Sequence, residues 1–254
     1  MKIKRIISPN NATFKVFLKL ASARGIKKYG MALISGPKQV KEVLEGFPDQ
    51  CEGIILSDQD DPSLGHNAKA LPLYHLGSDL FNEIDFYGTG GPILLVHVEP
   101  FPQLGDGDMP SGCTLCIPFQ DPANVGAVIR SAAAFDVSRV VMLKEAAHPF
   151  HPKSVRAAGS NLFRVPLFEG PSLDRLKAPK MPVITLSPKG KDIHDYVFPR
   201  SFWLVPGMEG QGLPDHMKQR PALSIPMAHG VESLNAALAT GIVLYLWQSK
   251  LRRG

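Results

Sequence analysis

A rhythm of short apolar runs limits what this chain can fold into. Six of them recur between residues 113 and 227: "CTLCIPF", "RVVMLKE", "FRVPLFE", "PVITLSP", "SFWLVPG" and "ALSIPM". Runs this short and this continuously apolar suit strands covered on both faces, as in a parallel sheet. Helical patterns fall between several of them. The last, "ESLNAALATGIVLYLWQSKLRR", ends on basic residues, which suit a helix C-terminus. Strands alternating with helices predict an α/β domain over residues 113–254.

Residues 1–100 repeat the alternation on a smaller scale. Asn11 reads as an N-cap, and Phe14, Phe17, Leu18 and Ala21 follow at helical spacing. "MALISG" reads as a strand, "PKQVKEVLEGF" as a helix with Pro in its first turn, and "GIILS" as a strand. "LPLYHLG", "SDLFNEIDFYG" and "PILLVHVEP" continue as strand, helix, strand. A small α/β domain is expected there. "FPQLGDGDMPSG", residues 101–112, is rich in Pro, Gly and Asp and is the expected linker.

Composition narrows the partners. No apolar run approaches the ~20 residues that span a bilayer. The start, "MKIKRIISPNN", lacks an apolar signal core, so a cytoplasmic protein is expected. Three cysteines argue against a disulfide framework. Cys113 and Cys116 match C-x-x-C, but they fall in a strand, where residues three apart point to opposite faces. No second Cys or His pair follows at zinc spacing, so structural cysteines and no metal are expected. The formal net charge is +5, and its placement is uneven. Lys2, Lys4, Arg5, Lys15, Lys19, Arg24, Lys27, Lys28, Lys38 and Lys41 all precede the first acid, Glu42. An acid-free basic segment is either a footprint for a polyanion or a solubilising face. A membrane surface fits less well, because the adjoining helix lacks a Trp-rich apolar side.

Ligands of open α/β sheets sit beyond the carboxyl ends of strands. Three loops there are unusual: "FQDPANVG" from residue 119, "VPGMEGQGLP" from 205, and "IPMAHGVESLN" from 225. The second is not G-x-G-x-x-G, and no Lys-Ser/Thr follows it, so ordinary dinucleotide or nucleoside triphosphate binding is poorly supported. Taken singly, each loop has a structural reading. Asn124, Ser233 and Asn235 would cap helices. Arg130, inside the apolar "NVGAVIRSAAAF", would be an ion-paired arginine, since a guanidinium is rarely buried alone.

Together the three loops resemble the signature motifs of the SPOUT class of methyltransferases, in its TrmH/SpoU branch of RNA ribose 2′-O-methyltransferases. "NVGAVIR" matches the first motif, "VPGMEGQGL" the second and "LSIPMAHGVESLNAALATGIVLY" the third. The match covers roughly residues 113–250. The N-terminal part, through "KLASARGIKKYGMALISGPKQVKEVLE", is more loosely similar to the small ribosomal-protein-like RNA-binding domain often fused before this one.

The resemblance implies a C-terminal SPOUT domain whose parallel sheet carries a deep trefoil knot, a homodimer, and S-adenosylmethionine as cofactor. It places Gly207, Gly212, Ile225, Met227, Leu234 and Ser187 around that cofactor. It places Arg130 at the catalytic arginine, with Asn124, Glu209, Ser233 and Asn235 as further polar active-site residues. It assigns RNA binding to Lys15, Lys19, Arg24, Lys27 and Lys28. Two residues depart from the pattern: Met208 stands beside Glu209, and His229, expected to fill its loop, stands where small residues are common.

The implied reaction is methylation of a ribose 2′-hydroxyl, in ribosomal RNA ahead of transfer RNA. Only RNA carries that hydroxyl. Arginine's pKa above about 12 makes it a poor base, so Arg130 is expected to clamp a phosphate and stabilise the developing alkoxide. The competing readings are a non-catalytic RNA-binding protein on the same fold and an unrelated nucleotide-dependent α/β enzyme.

Overall fold

A computed structural model describes residues 3–58, 71–105, 110–176, 181–208 and 212–252. The chain divides into two compact units. Met1–Pro100 and His148–Ser160 form the first; Phe101–Ala147 and Asn161–Gly254 form the second.

The first unit has five strands: β1 (Ile3–Ile6), β2 (Met31–Ser35), β3 (Cys51–Ser57), β4 (Leu73–Leu76) and β5 (Ile93–His97). Their order is β1-β4-β3-β5-β2. β4 runs parallel to β1 and β3, while β5 is antiparallel to both of its neighbours. Four helices accompany them, α1 (Ala12–Lys19), α2 (Ala23–Tyr29), α3 (Pro37–Gly46) and α4 (Ser78–Ile84), of which α1, α3 and α4 were expected. Asn11 does cap α1, accepting from the backbone N of Thr13 (2.9 Å) and Phe14 (3.3 Å). Phe14, Phe17, Phe81, Ile84 and Leu95 are buried together beneath them. Burial of this apolar surface is what holds such short elements in place.

Three features of this unit were not expected. β1 is a strand although two of its four residues are cations. The helix begun at Asn11 ends at Lys19, and Ser22 starts α2 by accepting from Gly25 N (3.2 Å). A distant segment, His148–Ser160, also belongs here, and its helix α6 (Pro152–Ala158) packs on β2.

The second unit is α/β, with one parallel sheet. All six apolar runs supply strands: β6 (Gly112–Ile117), β7 (Arg139–Met142), β8 (Leu167–Glu169), β9 (Val183–Asp192), β10 (Ser201–Val205) and β11 (Ala222–Ser224). They form one sheet of order β11-β9-β10-β6-β7-β8, and every pairing is parallel. Helices α5 (Pro122–Ala134), α7 (Asp215–Lys218) and α8 (Ala236–Leu251) complete it. The stretch expected as a linker is partly sheet edge. Glu169 N donates to the Pro102 carbonyl (2.9 Å), Leu104 N to the Glu169 carbonyl (3.1 Å), and Leu104 packs on the core. Cys113 and Cys116 are both fully buried in β6, and burial pushes both thiols well above their ordinary pKa. Among the described residues no helix is long and apolar enough to cross a membrane, and no group of three or more His, Cys, Asp or Glu side chains could hold a metal.

Candidate active site

The unusual loops lie at the carboxyl ends of β6, β10 and β11, where the sheet topology puts a ligand. β6 leads into α5. Asp121, not Asn124, caps that helix: its Oδ1 accepts from Ala123 N at 3.0 Å, and Pro122 occupies the first helical position. Asn124 therefore sits inside the first turn and not at the cap. Its Oδ1 accepts from Asn235 Nδ2 at 3.0 Å. Asn235 itself caps α8, its Oδ1 accepting from Leu238 N at 3.0 Å. One asparagine thus starts the last helix and ties it to the first turn of α5, bridging 111 residues of sequence. Ser233, also expected to cap, is exposed and lines a cavity instead.

Arg130 is on α5 but not in its buried stripe. Val125, Gly126, Val128, Ile129 and Ala132 fill that stripe, and the helical phase leaves Arg130 exposed. The ion pair expected for it is missing among the described residues. The buried arginine of this unit is a different one. Arg139, 3% exposed on β7, donates from Nε to Thr114 Oγ1 at 3.2 Å and lies 5.5 Å from the Phe168 ring.

Beside the Asn124–Asn235 pair lies a cavity of about 400 Å³. Ser187, Gly207, Gly212, Ile225, Met227 and Leu234, the six residues assigned to the cofactor by resemblance, all line it. So do Leu186, Pro188, Pro206, Met208, Leu223, Ala236 and Ala239, which sequence reasoning did not place there. Met208 had been noted only as a departure. Glu209 lies outside the described residues. His229 is exposed, so it does not fill its loop as expected.

The walls follow from strand irregularities. β11 pairs with β9 at Ala222–Thr185, then jumps to Leu223–Lys191. The intervening residues of β9 bulge out and carry Leu186, Ser187 and Pro188 into the cavity wall. Gly190 permits that bulge: a Cβ there would stand 2.5 Å from the Ala222 carbonyl oxygen. On the second wall Gly212 N donates to the Met208 carbonyl (3.2 Å), with Gly212 at φ 69°. A volume of this size, mostly apolar with a few polar groups at its edge, suits a nucleoside-sized ligand.

On the first unit, Lys15, Lys19, Arg24, Lys27 and Lys28 are all exposed. No carboxylate among the described residues pairs with any of them. Lys19 and Lys28 place their ammonium groups 5.9 and 5.4 Å from the Tyr29 ring centroid, an aromatic that sequence reasoning had missed.

An all-parallel sheet of this order, whose β9 bulge and loops after β10 and β11 line one cavity, fits a methyltransferase of the SpoU type. The SpoU rRNA Methylase family matches residues 115–245, and the chain belongs to it. It is 44% identical over 245 residues to ribosomal RNA small subunit methyltransferase G 2 of Syntrophobacter fumaroxidans. That match covers 96% of this chain, which spans only about half (49%) of the longer relative. It is 29% identical to the 23S rRNA (guanosine(2553)-2'-O)-methyltransferase RlmP of Bacillus subtilis, over 96% of this chain and 98% of that one. In fold it is similar to the SpoU methyltransferase AviRb from Streptomyces viridochromogenes in complex with the cofactor AdoMet. There the TM-score is 0.77 at 23% identity, over 96% of this chain and 100% of that one.

Proposed function

We propose that the protein methylates a ribose 2′-hydroxyl of ribosomal RNA, using S-adenosylmethionine. One observation carries this: the bulge of β9 and the loops after β10 and β11 line a single cavity, next to the asparagine pair that anchors the helix bearing Arg130. The names of the relatives, including that of the Bacillus protein matched along nearly its whole length, support the same substrate class.

The cofactor, when bound, supplies an electrophilic methyl on a sulfonium, so the reaction needs only an oxygen aligned behind that carbon. The apolar walls from Ile225, Met227 and Leu234 would hold its adenosine, and the backbone at Gly207 would let it approach closely. Ser187 and Ser233 offer hydroxyls at the edge. Arg130, exposed and unpaired among the described residues, would present its fork to an RNA phosphate and to the 2′-oxygen as charge develops. Asn124 would keep the start of α5 in register with α8. Glu209 is proposed as a further polar group of the site.

The proposal extends to assembly. Residues 1–100 would act as the RNA-binding domain and 113–254 as the catalytic one, with the C-terminal chain threaded as a deep trefoil knot. α8 is apolar on every side, yet Leu238 and Tyr245 stay exposed. A helix hydrophobic all round asks for cover, which supports a homodimer. A soluble cytoplasmic setting accords with the RNA substrate.

The test uses labelled S-adenosylmethionine and unmodified total RNA, separated into large-subunit, small-subunit and transfer fractions. Label in a ribosomal fraction at an alkali-resistant linkage is the expected result. Label confined to transfer RNA would move the substrate. No label despite retained cofactor binding would favour a non-catalytic RNA-binding protein.

A further inference from the structure

The first unit holds a cavity of its own, about 360 Å³, that nothing above uses. Leu33, Phe86 and Val155 give it apolar walls. Tyr87 adds an aromatic ring, and the Arg156 guanidinium lies 4.4 Å from its centroid. Lys38 brings a second cation, its side chain 88% exposed and only loosely paired with Glu42 at 3.9 Å. α3 starts at this cavity. Gly36 precedes it at φ 101°, no side chain caps its first turn, and a Cβ on Gly36 would meet nothing within 4 Å.

The amide of Gln39 is the decisive group. Its Nε2 donates to the Arg156 carbonyl (3.3 Å), which fixes the orientation of the amide. Its Oε1 is then buried without any hydrogen-bond partner. Buried polar atoms are rarely left so, and this one calls for a donor. A backbone phosphodiester offers none, whereas a nucleobase amine or a ribose hydroxyl does. The adjoining acid, Asp85, is already taken up by Thr89 Oγ1 (3.0 Å) and Gly90 N (2.8 Å).

We propose that this cavity captures one unpaired nucleotide of the RNA substrate. The base lies against Phe86 and Tyr87, a donor from base or ribose meets Gln39 Oε1, and the phosphate sits between Lys38, Arg156 and the open start of α3. Flat aromatics, two cations and a donor-seeking oxygen together are what single-stranded recognition uses. The inference rests on the RNA reading of the protein, and assigns it a subsite apart from the basic face of α1 and α2.

Photocrosslinking of the full chain tests it, with a short single-stranded RNA carrying one thiouridine. The expected crosslink maps to Phe86 or Tyr87, is competed by unlabelled single strand, and is not competed by a fully paired duplex. Arg156→Ala and Gln39→Leu should each weaken single-strand affinity about tenfold, in the range of one lost stacking or polar contact. Both should bind S-adenosylmethionine as the parent does, which checks folding. Crosslinks confined to α1 and α2, or unchanged affinity in both variants, would overturn the proposal. Competition by free uridine monophosphate as strong as by RNA would make this a free-nucleotide site and overturn it as well. Crosslinking needs no methyl transfer. Failure to label ribosomal RNA with the crosslink intact therefore rejects the catalytic reading alone, and the converse rejects the subsite alone.

Discussion

Asn235 carries two separable jobs, and a pair of substitutions divides them. Asn235→Ala removes the α8 cap and should cost about 1 kcal/mol of stability, read as a lowered denaturation midpoint. Asn235→Asp keeps an acceptor for Leu238 N but has no donor for Asn124. It should melt near the parent and still transfer methyl groups more slowly; a parental rate would show that the Asn124 bond does not position α5. Arg130→Ala should slow transfer by about a hundredfold or more, as losing an oxyanion donor does, with cofactor affinity unchanged. Arg130→Lys should not restore the rate, because an ammonium lacks the bidentate fork. A substantial residual rate in either variant would remove Arg130 from its role. The residues of this site were legible in sequence only as types in order. Asn124 was read as a cap because the better signal, Asp121 before Pro122, was passed over. Arg130 was taken to be buried from the composition of its helix, whereas counting helical phase from Val125 leaves it outside.

At the scale of elements, the cavity depends on a strand that is irregular on purpose. Gly190→Ala would drive a methyl into the Ala222 carbonyl and push β11 from β9. Expected are a loss of roughly 1–3 kcal/mol, typical of overpacking, and weaker S-adenosylmethionine binding by titration. Unchanged binding would mean that the bulge does not shape the pocket. The six apolar runs were readable as strands because a parallel sheet covered on both faces leaves no polar alternation. β1 was not: an edge strand of four residues with Lys4 and Arg5 looks like a charged start. The bulge was invisible, being a matter of register between distant strands. So was the membership of His148–Ser160 in the first unit, a long-range packing event. That segment has its own signature. Burial, with help from the Lys27 charge, pushes His148 down to about 4. The folded form thus disfavours the proton that the unfolded chain accepts near the ordinary histidine value of 6.5. Stability from this group is full above that value and falls as pH drops toward 4. His148→Leu should flatten the dependence of the denaturation midpoint between those limits; an unaltered slope would assign the acid sensitivity elsewhere.

Across the whole molecule, charge and chain order matter most. Replacing Lys15, Lys19, Lys27 and Lys28 with Ala should weaken RNA binding and reduce the slope of log affinity against log salt by up to about 3, if each meets a phosphate. An unchanged slope would make the basic face plain surface. The order of the large sheet has a different kind of consequence. β6, β7 and β8 come first and are neighbours, so they can pair as soon as they emerge from the ribosome. β9 emerges next but touches only β10 and β11, both still to be made. The N-terminal half of the sheet can therefore be in place while the cavity does not yet exist. Asn235, which closes the site against Asn124, is among the last residues of the site to be synthesised. A nascent chain of this protein would have a core before it has a pocket, and would stay silent toward its substrate until the segment carrying Asn235 has been made.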